Sequence, residues 1–354
     1  MKRLPVAPGR RLLGRLHLLH RYLDEWTRAY GPLYRFRLGG KPFVVVADPQ
    51  RARQILRDRP DGFRRMSAIG DVLGELGLAG LFAAEGDDWR RRRRPVARAL
   101  NAAPAEEVVA AATDRLRERW ARRSPGGDVH ADLMRFTAEV MAGVALGREL
   151  AARESLAEIF PMLARRINAP FPYWRYVKLP ADRRLDRAIA ALRAEIGGGP
   201  FLEAIPADQA FAEAMTVLVA GQDTTASTLS WLLHHLATHP GAWERARLDP
   251  DEVIRESMRL RPVAPFLFLE TLRDTDIAEA RVPRGTAVIV MTGAAFGGGP
   301  RVCPGSALAM LELRSVVAML LDTFERPVST VLPGERFTFA VEPVGLRLEL
   351  TRRR

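Results

Sequence analysis

The chain is nearly devoid of thiol: Cys303 is the single cysteine among 354 residues. One cysteine cannot close an internal disulfide, so nothing points to an oxidising compartment, and zinc sites built from cysteine clusters are excluded. Lysine is almost as scarce. Lys2, Lys41 and Lys178 stand alone among 54 basic residues, so the net charge of +12 is carried by arginine. Beside abundant alanine, glycine and leucine, that bias reflects genomic base composition as readily as an anion-binding surface. The basic residues are scattered through periodic segments with no aromatic-interleaved patch, and nucleic acid is therefore not expected as a partner. Long hydrophobic runs are missing too: no stretch reaches the roughly 18 consecutive apolar residues of a membrane span. The N-terminus "MKRLPVAPGRRLLGRLHLLHRYLDEW" lacks the unbroken apolar region and small-residue cleavage site of a signal peptide. No membrane anchor is expected, and the expected location is cytoplasmic.

What is present is a chain with 47% hydrophobic content, enough for a large core. Leu12, Leu13, Leu16, Leu19, Leu23 and Trp26 recur at three-to-four spacing, predicting a helix over residues 10–29 that Gly31 and Pro32 end. "LYRFRLGGKPFVVVA" alternates and then turns at Gly39-Gly40, predicting a hairpin over 33–47. Asp48-Pro49 opens the next helix, to about Leu56. The chain then reads as mostly helical until "FLFLETLRDTDIAEARVPRGTAVIVMTG", where β-prone runs return, and it closes on the β-rich "RFTFAVEPVGLRLELT". "IGGGP" at 196–200 reads as a loop. A mainly α fold with a small sheet drawn from both ends of the sequence follows, and with it one domain over residues 1–354.

The lone cysteine sits in "FGGGPRVCPG", residues 296–305, just before the apolar-periodic "SALAMLELRSVVAMLLDTF". A sulfur at a helix N-terminus faces free N–H groups and the positive end of the macrodipole, which favour the thiolate, and a metal would lower its pKa further. Gly297, Gly298, Gly299 and Gly305 remove side chains on both flanks, as a flat, bulky group against the backbone requires. Arg301 offers a positive charge for a carboxylate, and Phe296 an apolar lid near the sulfur. The alternative is a glycine-rich turn around a buried free cysteine.

Phe296, Gly299, Arg301, Cys303 and Gly305, five positions within ten residues, resemble the haem-binding loop of the cytochrome P-450 family. Further similarities follow in the family's order. "AGQDTT", residues 220–225, lies in the apolar helix predicted from about Phe211 to Leu236 and resembles the oxygen-binding segment. Gly221 thins that helix for a diatomic ligand, and the polar pair Asp223-Thr224 stands inside it. Alone, such a pair reads as a local kink with a satisfied hydroxyl. "ESMR" resembles the family's Glu-x-x-Arg, with Glu256 and Arg259 on one helix face as a structural ion pair. "WRRRRR" at 89–94 is either a solvated basic face or the family's Trp-x-x-x-Arg, in which Trp89 and Arg93 would meet a haem propionate and the other arginines would face a redox partner.

The resemblance implies haem b between the long central helix, at Ala220 and Gly221, and the helix after the cysteine loop, with Cys303 as the axial ligand of iron. It implies a monooxygenase acting on an apolar small molecule with O2, with Asp223 and Thr224 as proton relay and a ferredoxin, flavodoxin or reductase as electron donor. A peroxide-driven peroxygenase and a haem carrier or sensor without turnover are the alternatives. Substrate contacts are expected around 62–82 and 161–180. His234, His235 and His239 lack a third acid or thiol and are not taken as a metal site; Met215, Met258 and Met310 read as core filler.

Relative to the family, three places read as shortened. They are "GGGPFLEAIPADQA" after "RAEI", the stretch between His239-Pro240 and "DEVIRESMR", and "VIVMTGAAFGGGPR", which omits a segment whose arginine would complete a triad with Glu256 and Arg259. Leu269 also stands where many relatives place a basic residue near a propionate. A buried Glu256–Arg259 pair without its third partner would be poorly compensated.

Overall fold

The computed structural model describes residues 4–102, 104–122, 127–169, 171–329 and 331–353. Its sheet is built as the turn chemistry requires. Gly39 and Gly40 both take positive φ (56° and 80°), so a two-residue turn folds Leu33–Leu38 back on Lys41–Val46 with Leu38 opposite Lys41. Lys41–Val46 then runs parallel to Ala287–Met291, which pairs antiparallel with Phe266–Thr271, and Phe63–Arg65 forms the far edge. Strands from the two ends of the chain thus share one sheet. The edge strand Phe63–Arg65 was not apparent in the sequence.

Asp48 caps the helix Pro49–Asp58 by accepting from the Arg51 N–H at 2.8 Å. The predicted helix over 10–29 is split instead. Gly9–Leu12 and Leu16–Leu18 are 3-10 turns separated by Gly14 at φ 71°, and the α-helix spans only Leu19–Tyr30. Leu12, Leu19, Leu23 and Trp26 are buried as the spacing implies, whereas Leu13 is exposed.

The central helix, Ala207–Thr238, buries most of its length. Val129–Leu146 runs antiparallel along it: Thr137 donates to the Gln222 carbonyl at 3.0 Å and His130 meets Ser230 at 2.9 Å. Gly221 permits this approach, because a Cβ there would lie 2.8 Å from Met141 Cε. Of the shortened places, the second is filled by two helices, Pro240–Leu248 and Pro250–Leu260, joined at Asp249. The first is the loop through Gly198 and Gly199 ahead of the single turn Pro200–Glu203. The helix Ser306–Thr323 follows the cysteine loop, and the tail forms the hairpin Gly334–Phe337 with Val341–Val344. No helix among the described residues is long and apolar enough to cross a membrane.

Candidate active site

The central helix, the cysteine loop, the helix Gly86–Ala102, the sheet and the tail hairpin enclose a cavity of about 790 Å³. Its wall carries Cys303, Phe296 and Gly305 together with Ala220, Gly221 and Thr224, and also Trp89, Arg93 and Arg301. Gly299 is absent from that wall. It takes φ 67°, and a Cβ on it would collide with the Leu56 carbonyl, so its lack of a side chain serves contact between the loop and the helix Pro49–Asp58. Gly305 does lie by the sulfur: a Cβ there would sit 4.0 Å from Cys303 Sγ, and the Gly305 N–H donates to that sulfur. The loop is closed by the Cys303 N–H donating to the Phe296 carbonyl at 3.0 Å, with Phe296 at φ 65°, a strained value for a residue with a side chain.

The electrostatics of the thiol differ from the sequence expectation. Burial pushes Cys303 up, and the Gly305 N–H and the Arg93 charge only partly oppose it. The helix terminus therefore does not ionise this sulfur unaided; a bound cation is needed to hold the thiolate. The neighbouring positive charge is Arg93, not Arg301. Arg301 turns away to Glu85 and to the carbonyls of Leu81 (3.2 Å) and Ala84 (2.7 Å).

Around Glu85 lies a cluster that the sequence did not disclose. Arg59 reaches its Oε1 at 3.2 Å, the Arg65 N–H donates to the same oxygen at 2.9 Å, and Arg301 pairs with Oε2. The Arg65 guanidinium lies 3.7 Å from the centre of the Phe82 ring, and that of Arg301 5.1 Å from Trp89. Burial and mutual repulsion push Arg65 down to about 9 and Arg301 down to about 10. A guanidinium keeps its proton at neutral pH, so these depressions express first the burial of the two side chains and then an excess of positive charge facing one carboxylate. Arg59 Nε has no partner among the described residues, and neither does Glu312 Oε2, which belongs to a fully enclosed carboxyl on the cavity wall. Arg93 likewise makes no hydrogen bond or ion pair there, and burial lowers its pKa. An apolar slot with one thiol in its wall and an unbalanced guanidinium cluster fits a flat macrocycle bearing two carboxylates, as haem b does.

Thr224 lines the cavity and donates to the Ala220 carbonyl at 2.7 Å. Asp223 does not line it. Its carboxylate turns toward the tail hairpin, where burial and the Glu342 charge push it up to about 6. Trp89 and Arg93 share one helix face as expected, but the remaining arginines do not all point outward. Arg92 turns in to the fully buried Glu213 at 2.9 Å, while Arg91 and Arg94 are exposed. Glu256 and Arg259 do pair, twice at 2.7 Å, but they are 51% and 65% exposed and lie off the cavity. With the triad's third segment absent, water solvates the pair, which corrects the expectation of a poorly compensated buried pair. Met215 and Met258 belong to the core and also line the cavity, so they are more than filler; Met310 does not reach it. The segments 62–82 and 161–180 both contribute wall, the second only as far as Asn168. His235 is packed against Ser257 at 2.8 Å, and burial pushes it down to about 4.

The family model described as cytochrome P-450 matches residues 10–196, 199–254, 250–295 and 294–343. Its breaks fall at the three places where the sequence reads as shortened. Cyclooctat-9-en-7-ol 5-monooxygenase of Streptomyces melanosporofaciens is 25% identical over 89% of this chain and 89% of its own length. Protein LUTEIN DEFICIENT 5, chloroplastic, of Arabidopsis thaliana is 23% identical over 94% and 74%, and human mitochondrial 25-hydroxyvitamin D-1 alpha hydroxylase 25% identical over 88% and 83%. A solved structure of retinoic acid bound cyanobacterial CYP120A1 has the same fold, with a TM-score of 0.82 at 18% identity and full coverage of both chains. With its mainly helical fold and small sheets, the chain belongs to the cytochrome P-450 family, whose members bind haem b and act as monooxygenases.

Proposed function

We propose that this protein, acting as a single domain, inserts one oxygen atom from O2 into an apolar small molecule, using electrons from a separate ferredoxin, flavodoxin or reductase. The observation that carries the reading is that Cys303 and the Thr224 hydroxyl line the same apolar cavity. Bound haem supplies the redox chemistry by which dioxygen is reduced and one of its atoms transferred. The residues that would hold it are Cys303 as its thiolate ligand, Ala220 and Gly221 on the central helix, and Trp89, Arg93 and Arg301 toward its carboxylates, joined by Arg59 and Arg65. The cluster around Glu85 then supplies positive charge that Leu269 does not.

Each remaining task falls to a group of the chain itself. The Gly305 N–H steadies the sulfur as an anion, and Gly305 itself leaves it room. Thr224 Oγ1 holds a proton at the cavity wall, and Asp223, one residue earlier and sealed from the cavity, resupplies it. Leu73, Leu78, Phe82, Met215 and Phe339 offer an apolar wall that excludes water and favours a hydrophobic substrate.

The test is turnover of the hemin-loaded protein on a panel of apolar substrates under labelled dioxygen, with ferredoxin and reductase, with flavodoxin, and with peroxide alone. One labelled oxygen atom in the product, dependent on the electron donor, is expected. Product with peroxide only would replace the reading by a peroxygenase, and no product under any condition by a haem carrier.

A further inference from the structure

On the face of the central helix turned away from the cavity, Asp223, Ser227 and Ser230 follow one another at spacings of four and three and so align. This face is covered by the first turn of Val129–Leu146 and by the tail hairpin, which Trp231 pins by donating to the Val341 carbonyl at 2.9 Å. Two polar atoms sealed beneath it have no hydrogen-bond partner among the described residues: Asp223 Oδ2 and Ser227 Oγ, on residues 5% and 0% exposed. Orphaned groups of this kind cost stability, and each calls for a reason to be kept.

A carboxylate approaches from the other side. Glu342 is held by Arg336 on the facing strand (Nε to Oε1, 2.6 Å) and by His130 (Nε2 to Oε2, 3.4 Å), and His130 Nδ1 contacts Ser230 Oγ at 2.9 Å. The Ala340 N–H completes the set by donating to the Asp223 carboxylate. Arg336, 55% exposed, marks the outer end of the row.

We propose that Glu342 and His130 form the station through which protons from solvent reach Asp223, with a water seated between the two partnerless atoms, Ser227 Oγ and Asp223 Oδ2, as the intermediate step and Thr224 as the recipient on the cavity side. The assignment rests on the monooxygenase reading, because reducing dioxygen consumes protons. Only protons move. His130 hands a proton from Nε2 to Glu342, Glu342 passes one to the bridging water as that water releases its own to Asp223, and Asp223 restores Thr224. Water then reprotonates His130, so no electron is transferred and no charge accumulates.

The gradient runs inward. Burial and the Glu342 charge raise Asp223, with His130 and Arg336 opposing. Glu342, although its own burial pushes it up, is held below the usual carboxylate range by those same two groups. A proton shared between the carboxyls therefore rests on Asp223, the inner one.

The test uses the holoenzyme and the variants Glu342→Gln, His130→Gln and Arg336→Gln. In the resting enzyme, the infrared carbonyl band of Asp223 is titrated; during turnover, the coupling of product to reductant and the solvent isotope effect are measured. Loss of the negative neighbour in Glu342→Gln should lower the Asp223 midpoint by about one pH unit. Arg336→Gln should move it the other way. Coupling should fall about tenfold in Glu342→Gln and His130→Gln, with a larger isotope effect. An Asp223 midpoint indifferent to Glu342→Gln, or unchanged coupling and isotope effect in both inner variants, would overturn the assignment while wild-type product formation stands. Absence of product from the wild type overturns the monooxygenase reading instead, and the relay's purpose falls with it.

Discussion

Replacing Arg65 by leucine should separate the stability of the protein from its affinity for haem. Without haem, Arg65 donates to the Phe82 carbonyl at 3.0 Å and stacks on the Phe82 ring. Those contacts are worth about 1 kcal/mol each. Their loss is offset by relief of repulsion from Arg59 and Arg301, the same repulsion that helps push Arg65 down to about 9. The haem-free protein should therefore change stability by no more than about 1 kcal/mol in either direction. With haem bound, the variant loses a charge-assisted hydrogen bond to a carboxylate, worth about 1.5–3 kcal/mol. That corresponds to about 10- to 150-fold weaker hemin binding. Absorbance titration with hemin, together with thermal unfolding with and without it, reads both quantities. Equal destabilisation of the two forms with unchanged hemin affinity would refute the role of this cluster and leave Arg65 as packing for Phe82.

Ionised Asp223 should oppose folding. Its folded value of about 6 lies above the ordinary 3.8, so the penalty is absent below the ordinary value, grows between the two, and is complete above the folded one. Asp223→Asn should thus gain up to about 3 kcal/mol at pH 8 and little at pH 4, read by urea unfolding; an equal gain at both would contradict the burial. Gly221→Ala should change stability by no more than about 1 kcal/mol, because the helix propensity it gains offsets the displacement of the flexible Met141 thioether, read as a small shift in unfolding temperature. Met141→Ala, which opens a core cavity, should cost less beside Gly221→Ala than in the wild type, and simple additivity of the two changes would rule the contact out. Glu256→Ala should leave hemin binding and thermal stability within error of the wild type, because the pair it breaks is solvated; a large loss would mean that the pair is buried in solution.

The sequence disclosed the elements whose instructions are local. Gly39-Gly40 between two alternating runs admits little other than a tight hairpin, and Asp48-Pro49 carries its own cap. The cysteine loop was legible because its residues are contiguous. Arg59, Arg65, Glu85 and Arg301 are far apart in sequence and meet only through an edge strand of three residues, too short to show a period. Glu312 was hidden inside a helix whose apolar spacing continues on both sides of it. Arg92 and Arg93, adjacent in one run, part company because a helix turns about 100° per residue, which carries one to Glu213 and the other to the cavity. The exposure of Glu256 and Arg259 follows from chain that is missing, and the residues that remain give no sign of it.

The central claim is a bond from the Cys303 sulfur to haem iron. It is tested most directly by the carbon monoxide difference spectrum of the reduced, hemin-loaded protein. The wild type should give the long-wavelength band of sulfur ligation, and Cys303→Ala should bind hemin without it. A wild-type spectrum of the nitrogen-ligated kind, or a sulfur band that survives in Cys303→Ala, would contradict the account.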